Sequence, residues 1–224
     1  QRVLFSCSIL YIFIFSLLCT APFNSVISRY ITDRIFEEKY DAILPCFYGG
    51  LFLNLTVCCL LGIPFYIYAH FVGKISLLYV FICFMAFIAL SLTFYSMLYL
   101  SITKDYGKIS LFFAIGVITM VLSSLLFVKV LHLSVTVGML LSLTFAFWVI
   151  AVCEFSYVKG YFHNSNRRYF DFMQYFKKYW QLVAINFLYT LGLYIHNFVF
   201  WNTDMKMVVA KSFVYAPSYD MATF

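Results

Sequence analysis

Residues 75–101 read ISLLYVFICFMAFIALSLTFYSMLYLS, a run of aromatic, branched and small side chains without a charge. An α-helix rises 1.5 Å per residue and a bilayer core is about 30 Å thick, so about 20 apolar residues suffice to cross it. The run exceeds that length. It also lacks the polar–apolar alternation that a membrane-barrel strand shows over about 9–11 residues. It predicts a transmembrane helix. Similar runs flank it at about 3–28, 43–69, 109–128, 133–157 and 181–201, and a seventh begins near 212. The chain reads as an all-α integral membrane protein, a polytopic helical bundle.

The composition excludes the alternatives. Of 224 residues, 64% are hydrophobic, 22% aromatic and only 11% charged. Soluble domains carry about 25% charged residues, and a globule with so few could not cover its apolar surface. Disordered chains are poor in aromatics and rich in charge. The seven cysteines lie in or beside apolar runs and form no CxxC pair, so they read as small apolar space-fillers. His70, His132, His163 and His196 are scattered, with no metal-ligand spacing. No phosphate-binding glycine loop, nucleophile elbow or pair of catalytic carboxylates occurs. The expectation is a protein that is not an enzyme and needs no metal or cofactor.

Basic residues orient the spans. The connections 29–42, 102–108 and 158–180 hold 10 of the 15 lysines and arginines, and Arg2, Lys74, Lys129, Lys206 and Lys211 make up the other 5. The positive-inside bias puts those three connections in the cytoplasm. This excess accounts for most of the net charge of +6. It suits anionic lipid head groups and calls for no nucleic acid. Arg29 and Asp33, and Arg34 and Glu38, stand four apart and share a helical face, so the first helix is expected to continue to about residue 38. Residues 158–180, VKGYFHNSNRRYFDFMQYFKKYW, alternate aromatics and cations like an amphipathic surface helix, with Asn164-Ser165-Asn166 as its turn or start. The predicted division is 1–157, a linker at 158–180, and 181–224. With the start placed outside, one further helix is expected upstream, in a longer protein.

Ala21-Pro22 and Ala216-Pro217 recur inside apolar runs of the same direction. A proline within a helix removes a hydrogen bond and kinks it, so Pro22 and Pro217 are expected kinks. Parallel repeats of this kind occur in transporters.

Three stretches carry a family resemblance. They are Ala21-Pro22-Phe23 with Arg29 to Phe36 and Ile43-Leu44-Pro45, then Leu188 to Trp201, then Tyr215 to Phe224. Together they resemble the PelG family of exopolysaccharide transporters, in family order and over about 50 residues. Thr190, Tyr194 and His196-Asn197 stand where that family has Asn, Trp and an Asp-Lys pair. The resemblance implies a two-lobe, MATE-like transporter of the multidrug/oligosaccharidyl-lipid/polysaccharide flippase superfamily, of which this chain would hold about helices 2–8 of 12. It implies a bacterial cytoplasmic (inner) membrane, a Pel-like polymer rich in N-acetylgalactosamine, and a cytoplasmic glycosyltransferase with other membrane subunits as partners. A drug or lipid-linked oligosaccharide flippase, and a non-transporting scaffold for synthesis enzymes, are the rival readings.

Several residues then become candidates. Asn186, Thr190, Tyr194, Asn197 and Trp201 follow at steps of 4, 4, 3 and 4 and share one helix face. That face is either the wall of a sugar path or helix–helix glue. Tyr219 and Asp220 extend the set, because an ionisable residue in a membrane segment is functional by default. Glu154 is expected to pair with Lys159 at the surface, and Asn54 to serve packing. Arg29, Asp33, Arg34 and Glu38 form either a structural network at the cytoplasmic mouth or a docking surface for the glycosyltransferase.

Overall fold

The computed structural model describes residues 2–163 and 168–220, without the side chain of Ser218. Among them, six helices are long and apolar enough to span a membrane. These are α1 (Arg2–Phe36), α2 (Ile43–Phe71), α3 (Leu77–Ile102), α4 (Tyr106–Leu125), α5 (Val135–Tyr161) and α7 (Trp180–Phe200). Two short helices, α6 (Met173–Lys178) and α8 (Pro217–Asp220), a hairpin of β1 (Met207–Val209) with β2 (Phe213–Tyr215), a 3-10 turn at Tyr40–Ala42 and a π-helical turn at Leu126–Val130 complete the described elements. The chain is thus an all-α polytopic membrane protein, with the spans where the apolar runs put them.

Local chemistry sets the helix ends. The Ser76 hydroxyl accepts the Tyr79 N–H at 3.4 Å, and Asp105 accepts the Lys108 N–H at 3.4 Å, each capping a new span. Pro45 lies in the first turn of α2, where a missing N–H leaves no bond unmade. Pro22 and Pro64 lie inside α1 and α2.

The central helix is α3, which packs on α1, α2 and α5, while α4 packs on α5 and α7 on α1. Two buried clusters fill the bundle. One, toward the basic end, gathers Ile27, Tyr30, Ile31, Phe47, Tyr95, Tyr99, Leu100 and Phe172. The other, toward the far end, includes Cys7, Ile14, Cys58, Cys83, Leu90 and Leu140. The α2–α3 seam is close because Gly50 has no side chain: a Cβ there would stand 2.2 Å from the Tyr95 hydroxyl, which donates to the Phe47 carbonyl at 3.0 Å. Val117, Ile118, Val121 and Leu122 on α4, and Ile185, Leu188 and Tyr189 on α7, face outward, as lipid-exposed surfaces do.

Two expectations change here. In the 158–180 stretch, expected to carry a surface helix with its turn or start at 164–166, the helix is short. The described part of the stretch continues α5 to Tyr161 and then forms only α6 before α7 begins at Trp180. Phe172 is fully buried, edge-on to Tyr30 at 6.3 Å, so the segment is anchored in the bundle. Asn164-Ser165-Asn166 lies outside the described residues. No helix begins near 212 either. Phe213-Val214-Tyr215 is a strand, and the chain turns helical only at Pro217. Pro217 therefore opens α8 instead of kinking a span: a first helical position tolerates proline, whereas an interior one would forfeit a bond.

Candidate functional site

The far end of α7 carries the densest set of polar side chains that the sequence singled out. The hairpin brings it about. Ala210 and Lys211 both take left-handed φ values, 49° and 56°, and the Ser212 N–H bonds to the Val209 carbonyl at 3.3 Å. With Val209 paired to Phe213, the loop has three residues, Ala210-Lys211-Ser212, and the first two carry the turn. Tyr11 of α1 then holds the second strand. Its hydroxyl donates to the Val214 carbonyl and accepts the Val214 N–H, both at 3.1 Å. One phenol thereby satisfies both backbone groups of a strand residue, as a neighbouring strand would.

Held this way, the chain delivers Asp220 to α7. The carboxyl is 1% exposed and receives three donors. Asn197 Nδ2 donates to Oδ1 at 2.9 Å, Trp201 Nε1 donates to Oδ2 at 3.0 Å, and the Ala216 N–H donates to Oδ2 at 2.7 Å. The last bond serves an N–H at the start of α8 that has no partner within the helix. The Trp201 ring stacks on Tyr11 at 4.7 Å and 17°. Asn197 is fully buried, and its Oδ1 has no hydrogen-bond partner. Nearby, Tyr219 stacks on Phe200 at 3.9 Å and meets the His196 ring edge-on at 5.3 Å.

The remaining candidates on α7 lie apart from this cluster. Asn186 Nδ2 donates to the Ala21 carbonyl at 2.5 Å, one residue before Pro22. Ser25 Oγ donates to the Leu182 carbonyl at 3.3 Å across the same α1–α7 seam. Thr190 returns its hydroxyl to the Asn186 carbonyl at 2.9 Å. Tyr194 is half-buried against the far-end core. Between Asn186 and Trp201 the helix rises about 22 Å, so the face spans much of a bilayer. Asn197, Trp201 and Asp220 meet, whereas Asn186 bonds α1 and Thr190 bonds back to its own helix.

At the basic end, Arg29 pairs with Asp33 at 3.2 Å. Arg34 does not pair with Glu38. The α-helix stops at Phe36 and Glu38 takes a left-handed φ of 58°, which removes it from the helical face. Arg34 bonds Glu37 instead at 2.7 Å, and Lys39 reaches the same carboxylate at 3.0 Å. Lys39 first, and then Arg34, hold the Glu37 carboxyl below its ordinary range. The Arg29 guanidinium lies over the Tyr179 ring at 5.9 Å, which ties α1 to the junction of α6 and α7.

Glu154 also differs from expectation. It is fully buried, bonded to the Ser96 hydroxyl of α3, and has no ion-pair partner among the described residues. Lys159 stands exposed elsewhere on α5. Residues on one helix face stand three or four apart; Lys159 is five beyond Glu154 and so points to another side, while the Glu154 face turns inward. Asn54 is buried too, with Nδ2 on the Ser91 carbonyl at 3.5 Å. Sequence reasoning missed Tyr11 and Ser96. Neither carries a local signal, since each acts on a residue far away in the chain. Among the described residues, no group of three or more His, Cys, Asp or Glu side chains could hold a metal ion.

Six membrane-length helices define a multi-pass membrane protein, with a buried carboxyl held by amide, indole and backbone at one end. The PelG family model, described as "Putative exopolysaccharide Exporter (EPS-E)", matches residues 1–224, and the chain belongs to that family. No curated protein and no solved structure matches it.

Proposed function

We propose that this protein moves a Pel-like polysaccharide, rich in N-acetylgalactosamine and partly deacetylated, across the bacterial cytoplasmic membrane during formation of a biofilm matrix. The family match over residues 1–224 carries the reading. In it, residues 1–157 belong to one lobe of a MATE-like transporter, 158–180 link the lobes, and 181–224 open the second. The buried Asp220 cluster lies at the far end of α7, where the polymer would leave. Asn186, Thr190, Tyr194, Asn197, Trp201 and Tyr219 offer amides and rings of the kinds that bond hydroxyls and stack on sugar faces. At the basic end, Arg29, Asp33, Arg34 and Glu38 with Lys39 present a charged rim for a cytoplasmic glycosyltransferase and other membrane subunits. Arg34 and Glu38 contribute to that rim separately, since they do not pair.

The test is polymer export in cells that carry Asp220→Asn or Trp201→Phe at wild-type protein levels in the membrane. Export should fall at least tenfold for Asp220→Asn, with polymer retained inside the cell. Undiminished export by both variants would remove the cluster from the path. Export by cells lacking the protein altogether would remove the function.

A further inference from the structure

Glu154 sits in α5, within a span, and its environment is unlike that of any surface acid in the chain. The side chain is 0% exposed. Oε2 contacts the Ser96 hydroxyl of α3, while Oε1 is buried with no hydrogen-bond partner. A carboxylate removed from water normally requires a cation or several donors. Here there is neither.

The proton count around Ser96 decides the state of the acid. Ser96 Oγ has three oxygen neighbours: the Leu92 carbonyl at 2.9 Å, the Thr93 carbonyl at 3.3 Å, and Glu154 Oε2. A serine hydroxyl has one hydrogen to give and two lone pairs to receive with. Carbonyl oxygens only accept. If Ser96 gives its hydrogen to Glu154, both carbonyl contacts lack one. If Ser96 gives it to Leu92, the ordinary back-bond of a helical serine, then the hydrogen between Ser96 and Glu154 must come from the acid. Only the second arrangement supplies the Leu92 bond and the Glu154 bond together, and it also leaves no bare charge in the bundle.

We infer that Glu154 is a proton-binding site within the membrane, a neutral carboxylic acid that donates to Ser96 and joins α5 to α3. Release of the proton has a defined course. The Oε2–H bond breaks and the proton passes to a water that enters between α3 and α5. The Ser96 hydroxyl then turns from Leu92 to donate to the new carboxylate, and Oε1 takes its hydrogen bonds from that water. Protonation is thereby coupled to the closeness of α3 and α5, the most extensively packed helix pair among the described residues. The other titratable or charged groups on the surrounding helices do not compensate the acid. With Tyr95 donating to Phe47, Tyr99 of α3 donates to Tyr95 at 3.0 Å and lies 3.8 Å from Cys46 Sγ of α2. On α5, Tyr157 donates to Asp105, ahead of α4, at 2.5 Å, and Lys159 is exposed, as is Lys108 of α4. On α1, Arg29 and Arg34 are paired with Asp33 and Glu37.

Infrared difference spectroscopy of the protein in lipid tests this without any transport assay, so it stands or falls separately from the proposed function. Subtracting the spectrum of Glu154→Gln from that of the wild type at neutral pH should leave the carbonyl stretch of a neutral, hydrogen-bonded carboxylic acid. Ser96→Ala, which keeps the acid, should move that band toward the frequency of an unbonded one. At alkaline pH the band should give way to carboxylate absorption, with faster amide exchange in α3 and α5. A carboxylate signature for Glu154 at neutral pH overturns the inference, and so does a neutral-acid band that Ser96→Ala leaves unmoved. Should Glu154→Gln fail to fold, the Ser96→Ala comparison and the pH series on the wild type decide it alone.

Discussion

Asp220 collects donors from three parts of the chain, and each would be left buried and unpaired without it. A hydrogen bond to a charged group contributes about 1.5–3 kcal/mol, and each stranded donor costs about 1–3 kcal/mol. Replacing Asp220 by Ala should therefore lower the unfolding free energy by about 3 kcal/mol or more, read as a fall in the thermal midpoint of the purified protein. Trp201→Phe keeps the stack on Tyr11 and removes one donor, so a loss of about 1–2 kcal/mol is expected. A loss for Trp201→Phe equal to that for Asp220→Ala would mean that the ring, and not the bond, holds the cluster. Glu37 shows the weaker, exposed form of the same attraction. Because Lys39 and Arg34 depress its folded value, its contribution is present above the ordinary glutamate range and is lost as the pH falls through the depressed value.

At the scale of elements, the hairpin is the part that no local pattern announces. Such a turn ordinarily uses Asn-Gly or Gly-Gly, because both central residues need positive φ, yet Ala210 and Lys211 occupy it. A side chain there costs about 1–2 kcal/mol per residue. Lys211→Gly should relieve part of this and raise stability by about 0.5–1 kcal/mol, visible as a higher thermal midpoint; a lower midpoint would show that Lys211 makes a bond worth more than its strain. The segment before α6 rests on an opposite device. A Cβ on Gly49 would lie 2.0 Å from the Tyr169 carbonyl, and backbone cannot yield as a side-chain tip can. Gly49→Ala should lift the segment around Phe172 from α2 and make residues 168–172 more readily cleaved by protease, with the spans intact. Unchanged cleavage would mean that the backbone shifts without undocking.

For the whole molecule, the distribution of basic residues sets the direction of insertion. Single cysteines at Lys178 and at Lys206, in a background lacking the seven native ones, should react with an impermeant reagent from opposite faces of the membrane, Lys178 from the cytoplasmic side. Labelling of both from one side would overturn the orientation. The sequence by itself determined the six spans to within a few residues. Each is a property of one continuous stretch, because lipid leaves the backbone no partner but its own helix. Spacing also put Asn186, Asn197 and Trp201 on one face of α7. Periodicity along a helix, however, says nothing of what stands opposite that face. The tertiary structure alone decided that Asn197 and Trp201 close on Asp220 while Asn186 turns to the carbonyl beside Pro22. It likewise turned Glu154 away from Lys159 and toward Ser96, because a buried polar atom takes the partner that packing brings within about 3 Å, whatever its distance along the chain.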